Sequence, residues 1–191
     1  MEVNCFILAS RSPRRQELLT LVIPDFTSVP SRFDEQKLMG QGLAPEQLVQ
    51  KLSFGKAKEV FERENQNAVV IGGDTVVVSP EGRVFGIPKD RKEAFNMLSA
   101  LSGKVHRVLT GVTIYGQVHR SFVCSTEVEF YPLSKRDIDE YLDTGEPFDK
   151  AGAYGIQGYG ATLVKEIRGD YFNVVGFPIA RFKRELKDFL A

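Results

Sequence analysis

Short apolar runs alternate with segments of helical periodicity along the whole chain, and that alternation restricts its fold more than any other feature. Residues 3–9, VNCFILA, read as a buried strand. Ser12 follows as a helix N-cap and Pro13 as the first helical residue, with Leu18, Leu19 and Val22 as the apolar face. Residues 26–29 read as a second strand and 33–44 as a loop. Pro45 opens a long amphipathic helix carrying Leu48, Val49, Leu52, Ala57, Val60 and Phe61. Residues 68–71 form a strand that runs into GGDTVVV (72–78), and SPEGR (79–83) is a turn. Asp90 and Glu93 make a capping box for a helix with Ala94, Phe95, Leu98 and Leu101, which Gly103 ends. Long strands are expected over about 104–115 and 118–130, joined near Gly116. Ser134 caps a short helix through Leu142, and the glycine-rich, polar stretch 144–160 reads as a functional loop. Residues 162–167 and 171–175 read as a hairpin about Gly169-Asp170, and Pro178 starts the terminal helix. Strands alternating with helices argue for α/β, and the paired long strands argue for a mixed sheet.

A chain of 191 residues is expected to form one domain, long enough to bury a core. Lysine plus arginine equal aspartate plus glutamate at 25 each, so bulk attraction to nucleic acid or to an acidic membrane is not indicated. Any anion site must therefore be a local cluster. Cys5 and Cys124 have no CxxC spacing and imply neither a disulfide framework nor a zinc site. The apolar run at residues 5–9 is too short for a signal peptide or a membrane span, and the cytoplasm is the expected compartment.

The strongest local cluster is SRSPRR, residues 10–15. A helix N-terminus carries unpaired N–H groups and partial positive charge, so cations there are unfavourable unless an anion sits among them. Ser10, Ser12, Arg14 and Arg15 thus fit a polyphosphate site, the bland alternative being a solvated basic turn. No GxxxxGK[ST] occurs, which rules out a P-loop. Asp74, after a strand and two glycines, is placed to bind a divalent cation or orient water, although a turn aspartate is the commoner case. By residue type alone, Glu35 in RFDEQ and Lys56 on the long helix read as solvated charges. His106 reads as structural and His119 as a surface residue near a hairpin tip.

ILASRSPRRQELL, GGDTVV, SGKVHRVLTGV, GEPFDKAGAYGIQG and GDYFNVVGFP, in that order, resemble the Maf family of nucleoside triphosphate pyrophosphatases over most of the chain. The resemblance implies an elongated mixed α/β fold with two lobes and a central cleft. It implies hydrolysis of a nucleoside triphosphate between the α and β phosphates, with a divalent cation, Mg²⁺ or Mn²⁺. Carried over by motif, Ser10, Arg15 and Lys56 contact phosphate, while Glu35 and Asp74 hold metal and activate water, Asp74 being the proton acceptor. A homodimer is compatible with the sequence.

Arg14, Thr75 and Gln157 stand where the branch resembling dTTP/UTP pyrophosphatases carries Arg, Thr and Gln. The Gln157 amide suits a pyrimidine, accepting from N3–H and donating to a ring carbonyl. A branch with broader substrates also exists. Two positions depart from the family pattern: Gly73 replaces the usual alanine of GADT, and Ile87 in GIPKD replaces a phosphate-binding lysine. The rival to an enzyme is a nucleotide-binding regulator of septum formation with little turnover, which Ile87 favours. A nucleic-acid-binding role for the arginine cluster is weakened by the zero net charge.

Overall fold

The structure is a computed structural model that describes residues 5–38, 40–64 and 67–191, so Val3 and Asn4 of the expected first strand lie outside the described residues. The elements in chain order are β1 (Phe6–Leu8), α1 (Pro13–Thr20), β2 (Thr27–Ser28), α2 (Pro45–Arg63), β3 (Val69–Val78), β4 (Val84–Phe85) and α3 (Arg91–Leu101). They continue with β5 (Val105–Tyr115), β6 (His119–Phe130), α4 (Lys135–Asp143), β7 (Val164–Arg168), α5 (Tyr171–Val175) and α6 (Ile179–Leu190). Among the described residues seven strands form one mixed sheet, ordered β2-β1-β3-β5-β6-β7 with β4 also on β3 and helices flanking it. The chain divides into two compact units. One comprises Met1–Asp74, Thr110–Cys124 and Gly176–Ala191, and the other Thr75–Leu109 and Ser125–Val175.

In the first unit β1 runs parallel to both neighbours, Ile7 facing Thr27 on β2 and Val70 on β3. Parallel strands covered on both faces read as unbroken apolar runs, which is why residues 68–71 showed no alternation. Ile7, Ala9, Ala57, Val60, Ala68 and Val70 form the core here. The helix α2 lies directly on the sheet because glycine leaves room for its backbone. A Cβ at Gly72 would strike the Ser53 carbonyl and Ala57, and one at Gly111 would strike the Val49 carbonyl.

In the second unit β4 pairs antiparallel with β3 (Val77 with Phe85) and β7 antiparallel with β6 (Glu127 with Arg168). Its core gathers Leu98 and Leu101 of α3, Ile138 and Leu142 of α4, Phe130 of β6 and Tyr154.

Three local expectations change. The Asp90 side chain accepts the Glu93 N–H, but the Glu93 carboxylate reaches back to the Lys89 N–H rather than to Asp90, so the capping box is incomplete. The full reciprocal box is at α4, between Ser134 and Asp137. Residues 171–175 are a helix, not the second arm of a hairpin. YFNVV is rich in strand formers, but tertiary bonds override that preference. Asn173 is fully buried and donates to the Val108 carbonyl at 2.9 Å and to Thr126 Oγ1 at 3.0 Å. Asp170 Oδ1 caps the turn by accepting the Phe172 N–H. The stretch 144–160 is built of short 3₁₀ turns at Glu146–Asp149, Ala151–Ala153 and the start of Gly158–Leu163.

Candidate active site

The turn from β1 into α1 is tied down on both sides. The Ala9 N–H donates to the Ile71 carbonyl of β3, and the Ser10 carbonyl accepts from Ser28 Oγ of β2. This fixes Ser10, which is buried, with its hydroxyl accepting the Ser12 N–H at 3.1 Å. Ser12 is the N-cap of α1, accepting the Arg15 N–H at 3.4 Å, and Pro13 is the first helical residue as expected. No acidic residue occupies the first turn, so nothing in it offsets the positive end of the helix dipole. Arg15 folds inward: its Nε donates to the Gly176 carbonyl at 2.9 Å and its Nη1 to Ser10 Oγ at 3.3 Å. Arg15 passes close to Gly73, where an alanine Cβ would sit 3.3 Å from its Nε and the guanidinium would have to give by a few tenths of an ångström. Arg14 lies half-buried on the same turn.

The acidic pair is assembled from α2, β3 and the segment before α2. Lys56 Nζ donates to Asp74 Oδ1 at 2.5 Å and pairs with Glu35 Oε1 at 2.8 Å. Residue type alone made Glu35 and Lys56 solvated charges; the Lys56 side chain is in fact largely buried between two carboxylates, because α2 packs so closely over Gly72. Glu35 begins a 3₁₀ turn (Glu35–Lys37) capped by Asp34, and the segment before it is strapped onto α2. Glu59 accepts from Ser31 Oγ and the Arg32 N–H, and Arg63 Nη2 donates to the Pro30 carbonyl. Gly55 completes the fit, since a Cβ there would collide with the Phe33 ring.

Asp74 is only 8% exposed. Burial pushes its carboxyl above the ordinary value, against the opposing pull of Lys56 and Arg15. Burial also lowers the Arg15 guanidinium from its usual value, partly offset by Asp74, and arginine remains charged throughout the working range. A desolvated carboxylate with a raised pKa is a better proton acceptor than a solvated one.

Among the described residues no group of three or more His, Cys, Asp or Glu is assembled to enclose a metal ion. Two carboxylates sharing one ammonium nevertheless suit a hard cation such as Mg²⁺, which is commonly held by one or two carboxylates with substrate phosphates and water completing its shell. The first unit therefore brings together Ser10, Ser12 and Arg15 at the start of α1 with Glu35 on the turn before α2, Lys56 on α2 and Asp74 on β3. Thr75 follows Asp74 as the half-buried first residue of the second unit. Gln157 is exposed and Ile87 is 61% exposed, both in the second unit. His106 is buried and structural, and His119 is exposed beside Phe54 and Tyr115. Sequence reasoning missed Gly176, Gly55 and Glu59. A glycine inside a helical pattern was the one signal for Gly55.

Two solved structures share this fold: the nucleoside-triphosphatase / dITP/XTP pyrophosphatase of Mycobacterium abscessus and the Ham1 protein of Staphylococcus aureus. Each is 12% identical with a TM-score of 0.50; they cover 96% of this chain, and the matches span 96% and 98% of theirs. At that identity the likeness defines a fold class. The family model for Maf-like proteins matches residues 5–189, and the chain belongs to that family. A protein of Bacillus pumilus named dTTP/UTP pyrophosphatase is 49% identical over 98% of this chain and 97% of its own. Proteins of the same name from Bacillus velezensis and Clostridioides difficile are 50% and 47% identical, over 96% and 97% of this chain and 95% of theirs.

Proposed function

We propose that this chain is a nucleoside triphosphate pyrophosphatase that hydrolyses dTTP and UTP to the monophosphate and pyrophosphate in the cytoplasm. The observation that carries the reading is Lys56 held between Glu35 and Asp74, in the same unit as the Ser10–Arg15 contact at the start of α1. Hydrolysis of a phosphoanhydride needs cations to neutralise the phosphoryl oxygens and an acceptor for the proton of the attacking water. Arg15, Lys56 and the α1 N-terminus supply the positive field for the triphosphate. Asp74 accepts the proton as water adds at phosphorus, and the bond to the bridging oxygen breaks to release pyrophosphate. Glu35 and Asp74 would hold the divalent cation, which supplies Lewis-acid charge neutralisation at the phosphates. The family resemblance assigns nucleotide selection to Arg14, Thr75 and Gln157, and the Gln157 amide suits a pyrimidine edge. The names of the relatives at 47–50% identity support the pyrimidine assignment.

A nucleotide-binding regulator of septum formation with little turnover is the second reading. It is favoured by Ile87, an apolar side chain 61% exposed where the resemblance leads one to expect lysine. Pyrophosphate release from a panel of nucleoside triphosphates, with and without Mg²⁺ or Mn²⁺, separates the two. The enzyme releases pyrophosphate from dTTP and UTP only with metal; binding without release would establish the regulator.

A further inference from the structure

The glycine-rich stretch that carries Gln157 is held at both ends by one carboxylate and one phenol, neither of which the proposed chemistry uses. Glu146 opens the first 3₁₀ turn of the stretch, with Pro147 buried behind it. Its Oε2 accepts the Tyr159 N–H at 2.8 Å, and its Oε1 accepts the Gly160 N–H at 3.1 Å and the Tyr141 hydroxyl at 2.9 Å. The same Tyr141 oxygen accepts the Gly155 N–H at 3.2 Å. Carboxylate and phenol together therefore grip residue 155 on one flank and residues 159 and 160 on the other, with Gln157 on the span between.

The glycines are part of this grip. A Cβ on Gly158, which has φ +65°, would strike Glu146 Oε2, and one on Gly160 would strike the Gly155 carbonyl and the Tyr141 hydroxyl. A Cβ on Gly155 would press on the Lys150 side chain, whose ammonium donates to the Glu146 carbonyl at 2.6 Å. Burial pushes the Tyr141 phenol above its ordinary value, so it stays a donor at working pH. Backbone N–H groups bonded to an ionised carboxylate are among the stronger neutral-donor contacts a loop can have. Such bonds satisfy N–H groups that packing buries, and an amide that must meet a base edge has in addition to be held in place.

We infer that Glu146 is a positioning residue for base recognition, clamping with Tyr141 both flanks of Gln157 so that its amide is presented in one orientation. The inference rests on the assignment of Gln157 to the pyrimidine edge. Glu146→Gln is the test, because the amide keeps the shape but sets an NH₂ donor against N–H donors. The kinetics of UTP, dTTP and CTP hydrolysis are compared in wild type, Glu146→Gln, Tyr141→Phe, Gln157→Ala and the Glu146→Gln/Gln157→Ala pair. The KM for UTP and dTTP is expected to rise about tenfold in Glu146→Gln, with kcat moving less than about twofold and the preference over CTP lost. Tyr141→Phe shows the same pattern more weakly, and Glu146→Gln has no further effect once Gln157 is alanine. Retained preference for UTP over CTP in Glu146→Gln, or an equal loss in the Gln157→Ala background, overturns the inference. Wild type that releases no pyrophosphate refutes the proposed enzyme instead; calorimetric UTP and CTP binding by the same variants then decides the role of Glu146 by the same criteria.

Discussion

Lowering the pH probes the core of the second unit through one side chain, His106. The imidazole is 1% exposed, stands edge-on to Phe130, and shares a hydrogen bond of 2.7 Å between its Nε2 and the Tyr154 hydroxyl. Burial pushes it from 6.5 down to about 4, against a smaller opposing pull from the Lys104 backbone. The unfolded chain takes up a proton near pH 6.5, while the folded chain resists until about pH 4. The stability contributed by neutral His106 is therefore complete above pH 6.5 and drains away as the pH falls towards 4. At about 1.4 kcal/mol per pH unit, the whole interval amounts to about 3 kcal/mol, a large share of a typical domain's stability. The chain has no tryptophan, so urea unfolding is best followed by far-UV circular dichroism, at steps from about pH 7.5 to about pH 4.5. The control is His106→Gln, which keeps a hydrogen-bonding side chain that does not titrate. The variant is less stable at neutral pH, but between about pH 6.5 and 5 its stability should stay nearly flat, where wild type loses about 2 kcal/mol. Equal slopes for the two proteins would refute the reasoning and place the acid sensitivity elsewhere.

Four further outcomes follow from the geometry. Asp74→Asn abolishes pyrophosphate release and raises the thermal unfolding temperature at neutral pH, because ionised Asp74 is held against a raised pKa; the gain fades as the pH falls through the ordinary carboxyl range, and a variant less stable at every pH would contradict this. Gly72→Ala costs about 1–3 kcal/mol in urea unfolding, because the new methyl group meets the Ser53 carbonyl and Ala57 where α2 crosses β3. Ile87→Lys restores the residue that the family resemblance implies as a phosphate contact and should raise kcat/KM for UTP by roughly tenfold or more; an unchanged value would remove residue 87 from the account. Gln157→Glu weakens use of UTP and dTTP, since a carboxylate cannot donate to a ring carbonyl, and unchanged kinetics would dispose of the assigned role.

Local chemistry alone settled much of this protein. Ser12 and Pro13 start α1, Pro45 starts α2, and Gly103, at φ +67°, stands just past the end of α3; each depends on backbone groups within a few residues. The long strands β5 and β6 were legible because both are unbroken over more than ten residues. The cluster SRSPRR pointed to an anion because its unfavourable charge could be reasoned from one helix turn. Tertiary structure decided the rest. YFNVV became a helix because Asn173 bonds to residues 65 and 47 positions away in the chain. Lys56 looked like a solvated charge until the close packing of α2 on Gly72 buried it beside Asp74, whereas Glu35, on the segment strapped by Glu59, pairs with it and stays 46% exposed. Arg15 turns inward to donate to the Gly176 carbonyl, 161 residues later, as well as to Ser10 on its own turn. Propensity and capping act over a few residues and can be read from the sequence. Desolvation and ion pairing depend on which distant backbones a missing Cβ allows to approach, and that is settled only when the chain has packed.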